Sequence, residues 1–289
     1  MKKSLSVIKK YHFLILGIFF MSFINCTAVQ QENDLKIAIV QMDVTEGNLL
    51  LNMEQAETYI REAALQKIDM VCLPEAADFG WLYQQARCEA LPVPGKYTDH
   101  LSLLARELGI WICAGCLEKD GEKIYNAAVI IDRNGEIVLK HRKINTLPFL
   151  TSALYDAGNK DDIKVVDTEF GKIGLTICAD NFDINNTLKV AELGAWLLIA
   201  PHGFAASAED LYDNSNLYVN HIKNMAFQSK LWVIGPNTCL STVGGGEWKG
   251  FCHSGCSTIA NPAGKAVIIG KFNEPDLIIY EIKRSSSLR

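Results

Sequence analysis

The chain has 289 residues, 49% of them hydrophobic, 21% charged and 9% aromatic, with 21 glycines and 8 prolines. That balance excludes a disordered, collagen-like or small disulfide-scaffold protein, and the length gives one large domain or two small ones a substantial core. The formal charge is −5 and deepens to −9 once the four lysines of the first 25 residues are set aside, so a protein that grips a phosphate backbone is excluded and no nucleic-acid partner is expected.

Lys2, Lys3, Lys9 and Lys10 lead into an apolar run over 13–24. The run is too short for the ~20 apolar residues of a spanning helix and suits the apolar stretch of a secretory signal. Cys26 follows almost at once, and the arrangement resembles a bacterial lipoprotein signal, in which the cysteine is lipidated and becomes the new N-terminus. Phe23-Ile-Asn25 departs from the small residue usual before that cysteine. Residues 1–25 are therefore read as a signal peptide, 26–34 as a polar tether behind a lipidated Cys26, 35–284 as the folded domain and 285–289 as a tail. The protein is expected to be exported, held at the periplasmic or cell-envelope membrane by the lipid, or secreted if cleavage is ordinary.

The domain reads as strands alternating with helices. Residues 36–42 form a first buried strand. From 48 to 66, Leu49, Met53, Ala56, Ile60 and Ala63 fall at the spacing of an amphipathic helix. A strand at 69–73 and a helix over 97–108, stopped by Gly109, come next. Three β segments at 110–118, 123–132 and 136–142 are joined through Asp120-Gly121 and Asn134-Gly135, both hairpin turns. Strands at 163–168 and 172–178 flank Gly171; a helix at 185–194, a strand at 195–200 and a helix at 213–229 follow. Strands at 231–236, 256–261, 265–270 and 276–282 close one α/β domain.

Eight cysteines remain after Cys26. Cys113-Ala-Gly-Cys116 has the spacing of a redox or zinc pair, but it lies in an apolar strand, where positions i and i+3 face opposite sides. Both are read as buried small hydrophobes. Cys252-His253-Ser-Gly-Cys256 lacks a second ligand pair, so no metal is expected.

Three segments carry chemistry: Glu75 in Val71-Cys-Leu-Pro-Glu75, just past a buried strand; Lys143 in Lys140-His-Arg-Lys143; and Cys178 in Gly174-Leu-Thr-Ile-Cys178-Ala-Asp180, where an apolar strand breaks. A thiol nucleophile needs a base, a charge to stabilise the oxyanion it creates and a turn that exposes it. A glutamate, a lysine and a strand-end cysteine supply all three. Each alone is an ordinary helix start, solvated edge or core residue; their order and spacing distinguish them.

That order resembles the nitrilase superfamily, the carbon–nitrogen hydrolases, in its amidase-like branch. Tyr125-Asn126, Gly194-Ala195, Asn237, Ser254-Gly-Cys-Ser257 and Asn261-Pro262-Ala-Gly264 match further landmarks, and the resemblance spans essentially the whole domain. It implies a four-layer α-β-β-α sandwich, usually a homodimer, that needs no cofactor and cleaves a small-molecule amide. It also implies roles: Glu75 as base and then acid, Cys178 as nucleophile, and the Lys143 ammonium with the Ala179 N–H as oxyanion holders. A stabilised thiolate at Cys178 is expected on this reading. Other readings of the same triad are an N-acyltransferase or a nitrile hydrolase, and, of another class, a silent surface-anchored binding protein.

Around the triad, Phe79, Trp81 and His202 are candidate pocket residues, with Tyr83 beside them, and Asp180 is expected to bond neighbouring backbone and orient the nucleophile's turn. The chain also departs from the pattern it resembles. Many members carry a second glutamate where Thr151 stands, and those acting on carboxylate-bearing substrates often carry an arginine where Phe182 stands. A neutral or cationic amide is therefore expected, with Asp156 or a water in place of the missing glutamate.

Overall fold

Alternating apolar segments become paired strands in the computed structural model, which describes residues 33–284. The signal, Cys26 and the tail at 285–289 lie outside the described residues. The chain runs β1 (Leu35–Gln41), α1 (Leu49–Leu65), β2 (Met70–Cys72), α2 (Ala86–Glu89) and α3 (Lys96–Leu108), then β3 (Trp111–Asp120), β4 (Lys123–Ile131) and β5 (Ile137–Arg142). The second half holds β6 (Val165–Thr168), β7 (Gly171–Leu175), α4 (Ile184–Glu192), β8 (Leu197–Ile199), β9 (Ala205–Ala206) and α5 (Leu211–Ser229). It ends with β10 (Trp232–Gly235), β11 (Cys239–Thr242), β12 (Cys252–Ser254), β13 (Thr258–Ala260), β14 (Ala266–Ile269) and β15 (Asp276–Ile282).

Two six-stranded sheets result, ordered β15-β1-β2-β3-β4-β5 and β14-β13-β10-β8-β7-β6. Side chains from both, among them Ile37, Cys72, Cys113, Ile173, Leu197 and Ile234, share one buried core between the sheets. The outer face of the first sheet packs on α1 and α3 through Ala56, Ile60, Leu101 and Leu104. The outer face of the second packs on α4 and α5 through Val190, Tyr218, Ile222 and Met225. This is the four-layer α-β-β-α sandwich, and both faces of each sheet are covered, which is why its strands read as near-continuous apolar runs.

Helix α1 starts where Asn48 Oδ1 accepts the Leu51 N–H at 3.2 Å, a side-chain cap. Cys113 faces the core between the sheets and Cys116 the core under the helices, the opposite faces that strand periodicity demands. All eight described cysteines are free, and among the described residues no group of three or more His, Cys, Asp or Glu side chains could hold a metal ion. No helix of the described residues is long and apolar enough to cross a membrane. The strand predicted over 172–178 stops at Leu175, and Cys178 instead opens a 3-10 turn, Cys178–Phe182. A small third sheet, β11-β12-β9, has no counterpart in the sequence reading. Its strands are two to four residues long and pair at only two positions per partner, too short to leave an alternation signal.

Candidate active site

Strand β2 ends at Cys72, but the chain keeps pairing with β3: Leu73 N–H donates to Cys113 O at 2.8 Å, and Ala77 N–H to Gly115 O at 3.1 Å. Gly115 is what lets the segment lie so close. A Cβ there would stand 2.5 Å from Pro74 O and 2.6 Å from Glu75 Cα. Glu75 is thereby held at the carboxyl end of a parallel strand, where open α/β sheets gather their reactive groups. Its carboxylate is 0% to 1% exposed and accepts three hydrogen bonds: Oε1 from Lys143 Nζ at 2.6 Å and Asn126 Nδ2 at 2.7 Å, Oε2 from Gly203 N at 2.7 Å.

Lys143 follows β5 directly, and its backbone N–H donates to Asn126 O on β4 at 2.7 Å. Cys178 comes from the other sheet, three residues past β7, with its N–H on Pro201 O at 3.0 Å. Its φ of +41° is the left-handed region that a side chain occupies at a cost of about 1–3 kcal/mol, strain that surrounding structure must enforce. The enforcement is visible. Asn181 Nδ2 donates to Cys178 O at 3.3 Å while its Oδ1 accepts from Thr176 and Thr187. Asp180 does what the sequence reading expected and more. Its Oδ1 accepts from Ile144 N at 2.7 Å and Asn145 N at 2.8 Å, and its Oδ2 from Ile177 N at 3.0 Å and His141 Nε2 at 2.8 Å. One buried carboxylate ties the residue after Lys143 to the residue before Cys178.

Electrostatics revise one expectation. Burial pushes the Cys178 thiol well above its usual range and the Glu75 carboxylate adds to this, against the Lys143 charge and the Gly203 N–H. The direction runs against the stabilised thiolate expected from the sequence, because burial and Glu75 outweigh the Lys143 charge. Burial lowers the Lys143 pKa, but Glu75, Cys178 and Asp180 outweigh it and the net direction is upward. The buried lysine is thus favoured as the ammonium by the carboxylates around it.

Of the pocket candidates, Trp81 has its ring 5.6 Å from Lys143 Nζ and meets Trp248 edge-on. Phe79 stacks on Tyr83 with centroids 5.6 Å apart. His202 supplies its backbone carbonyl to Glu75 N at 3.3 Å, while its ring turns to Tyr218 and His221 on α5. Thr151 is fully buried and donates to Thr146 O. Asp156 does not stand in for the missing glutamate: its Oδ2 takes the Ile124 N–H near the start of β4 at 3.0 Å. Phe182 is half exposed and packs edge-on against His221. The sequence reading missed Asn126 and Gly203 as site residues. Asn126 had a signal, since an amide inside the apolar run Ile124–Ile131 needs a buried partner; Gly203 had none.

The carbon–nitrogen hydrolase family model matches residues 36–287. The chain belongs to the carbon–nitrogen hydrolase family. Among curated relatives, a nitrilase of Pyrococcus abyssi is 28% identical over 257 residues, covering 86% of this chain and 89% of that protein. An omega-amidase of Saccharomyces cerevisiae is 26% identical over 263 residues, covering 85% and 86%. The crystal structure of Saccharomyces cerevisiae Nit3, a member of branch 10 of the nitrilase superfamily, superposes with a TM-score of 0.75 at 23% identity, over 86% of this chain and 90% of that one. An amidase from Nesterenkonia sp. gives 0.74 at 18% identity, over 86% and 90%. These last two likenesses establish the nitrilase fold.

Proposed function

We propose that this carbon–nitrogen hydrolase cleaves the amide bond of a small, neutral or cationic carboxamide through a thioester on Cys178. The observation that carries the reading is the meeting of Glu75, Lys143 and Cys178 from two sheets, close enough that Glu75 and Lys143 both act on the thiol, with the glutamate fixed by Lys143, Asn126 and Gly203. Glu75 takes the thiol proton as Sγ attacks the carbonyl carbon, so the high thiol pKa is met by a base already in place. The Lys143 ammonium and the Ala179 N–H hold the oxyanion. Collapse breaks the C–N bond, Glu75 returns its proton to the leaving nitrogen, and ammonia departs. Glu75 then deprotonates a water that attacks the thioester; the C–S bond breaks, the acid leaves, and Glu75 returns the proton to the Cys178 sulfur.

The charge preference rests on Phe182, uncharged where a carboxylate-binding arginine would be expected. Ammonia release from propanamide, glycinamide and succinamate, compared for the wild type and Cys178→Ala, tests both parts. Release that persists in Cys178→Ala sinks the mechanism, and a kcat/KM highest for succinamate sinks the charge preference. We also propose that the exported chain is lipidated at Cys26 and dimerises, the exposed apolar side chains Leu217 and Phe227 on α5 supplying surface for a second copy. Radiolabelled palmitate should enter the wild type and not Cys26→Ala.

A further inference from the structure

His253 lies on β12, in the small third sheet, and is 3% exposed. Its Nδ1 stands 2.7 Å from the Ser241 carbonyl oxygen. That oxygen only accepts, so Nδ1 carries the proton and Nε2 of the neutral ring is left with a lone pair. Burial pushes the imidazole pKa down, against the Ser241 contact and Glu75, and this keeps the lone pair free. Yet Nε2 is buried with no hydrogen-bond partner among the described residues. A buried acceptor left unpaired is costly, and a donor that arrives with the substrate would satisfy it.

The place it faces is defined by Gly203. A Cβ on that residue would lie 3.4 Å from Glu75 Oε2, 3.5 Å from His253 Nε2 and 3.5 Å from Trp81 Cβ. The glycine leaves room there for about one atom in van der Waals contact with both the Glu75 carboxylate and the imidazole lone pair. Both Glu75 oxygens already accept from Gly203, Asn126 and Lys143, so none of these protein donors is directed at His253. In amide hydrolysis, the atom that must come beside Glu75 is the leaving nitrogen, which carries hydrogens of its own.

We propose that His253 is a specificity-determining residue whose Nε2 accepts an N–H of the substrate's carboxamide, leaving the nitrogen lone pair turned toward Glu75. The inference rests on the carboxamide reading above and deepens it: the preferred substrate is a primary amide, and an ester or nitrile of the same shape offers no hydrogen to this acceptor. No bond to His253 forms or breaks; it orients the nitrogen that Glu75 protonates.

The test compares propanamide with methyl propanoate on the wild-type protein, His253→Phe and His253→Gln, with thermal unfolding as the folding control. Phe keeps the ring and removes the acceptor; Gln returns an acceptor oxygen at a similar reach. One lost hydrogen bond corresponds to about a tenfold effect, so the amide-to-ester ratio of kcat/KM should fall about tenfold or more in His253→Phe. It should recover in part in His253→Gln. Equal losses on amide and ester, as a purely structural or water-holding role would give, overturn the assignment while leaving the carboxamide reading in place. A wild type that turns over the ester but neither propanamide nor glycinamide overturns the carboxamide reading itself and the role of His253 with it.

Discussion

Replacing Asp180 with asparagine should damage stability and turnover together, although Asp180 is given no chemical role. The carboxylate accepts four hydrogen bonds, two at each oxygen. In Asp180→Asn the remaining oxygen can still serve Ile144 and Asn145, but the amide nitrogen cannot accept from Ile177 N or from His141 Nε2. The orphaned Ile177 N–H costs about 1–3 kcal/mol, and the lost carboxylate–imidazole bond about 1.5–3 kcal/mol. A total near 3–5 kcal/mol corresponds, at roughly 2–4 °C per kcal/mol for a domain of this size, to a Tm lowered by on the order of 10 °C. The turn that strains Cys178 to positive φ also loses its tie to the Lys143 segment. A shift of about 1 Å between nucleophile and ammonium would lower kcat/KM about a hundredfold. Thermal unfolding followed by tryptophan fluorescence gives the first number, and ammonia release from the best amide gives the second. His141→Ala should lose less alone and be non-additive with Asp180→Asn. An Asp180→Asn protein with wild-type Tm and kcat/KM within twofold of wild type would refute the argument.

Gly115→Ala should unfold the protein or displace Glu75, since its Cβ meets backbone atoms of Pro74 and Glu75 that cannot rotate away; a crystal structure of the variant with Glu75 unmoved and full activity would contradict this. Asn126→Leu should fold and lose about ten- to a hundredfold in kcat/KM, because a hydrogen bond to a charged group contributes about 1.5–3 kcal/mol and this one orients Glu75; unchanged kinetics at matched Tm would count against it. Burial raises the pKa of Asp78 from 3.8 to about 7, against the N–H groups of Leu117 and Phe79. The native state therefore holds this proton where the unfolded chain has released it, so the Asp78 contribution is fully present below about pH 4 and fades as pH rises toward 7. Denaturant unfolding between pH 4 and 7 should show a decline in the wild type that is shallower in Asp78→Asn, and identical slopes would exclude the effect.

What could be read from the sequence follows from the range of the physics involved. The strands and helices that build the four layers are long, apolar and periodic, so 35–41, 49–65 and 111–131 are legible from local pattern alone. Glu75, Lys143 and Cys178 stand out because each interrupts such a pattern at a strand end. The network that makes them a site is of another kind. Gly203 reaches Glu75 across 128 positions and Asn126 across 51, and a backbone N–H carries no residue-type signature at all. His253 shows the same limit from the other side. Its sequence neighbours Cys252 and Cys256 gave no metal site and no other role, whereas its ring is held by Ser241 and its other nitrogen lies close to Gly203, neither of which a linear spacing encodes. Residue type at strand ends therefore singles out Glu75, Lys143 and Cys178 as candidates, and only the fold shows which groups surround them.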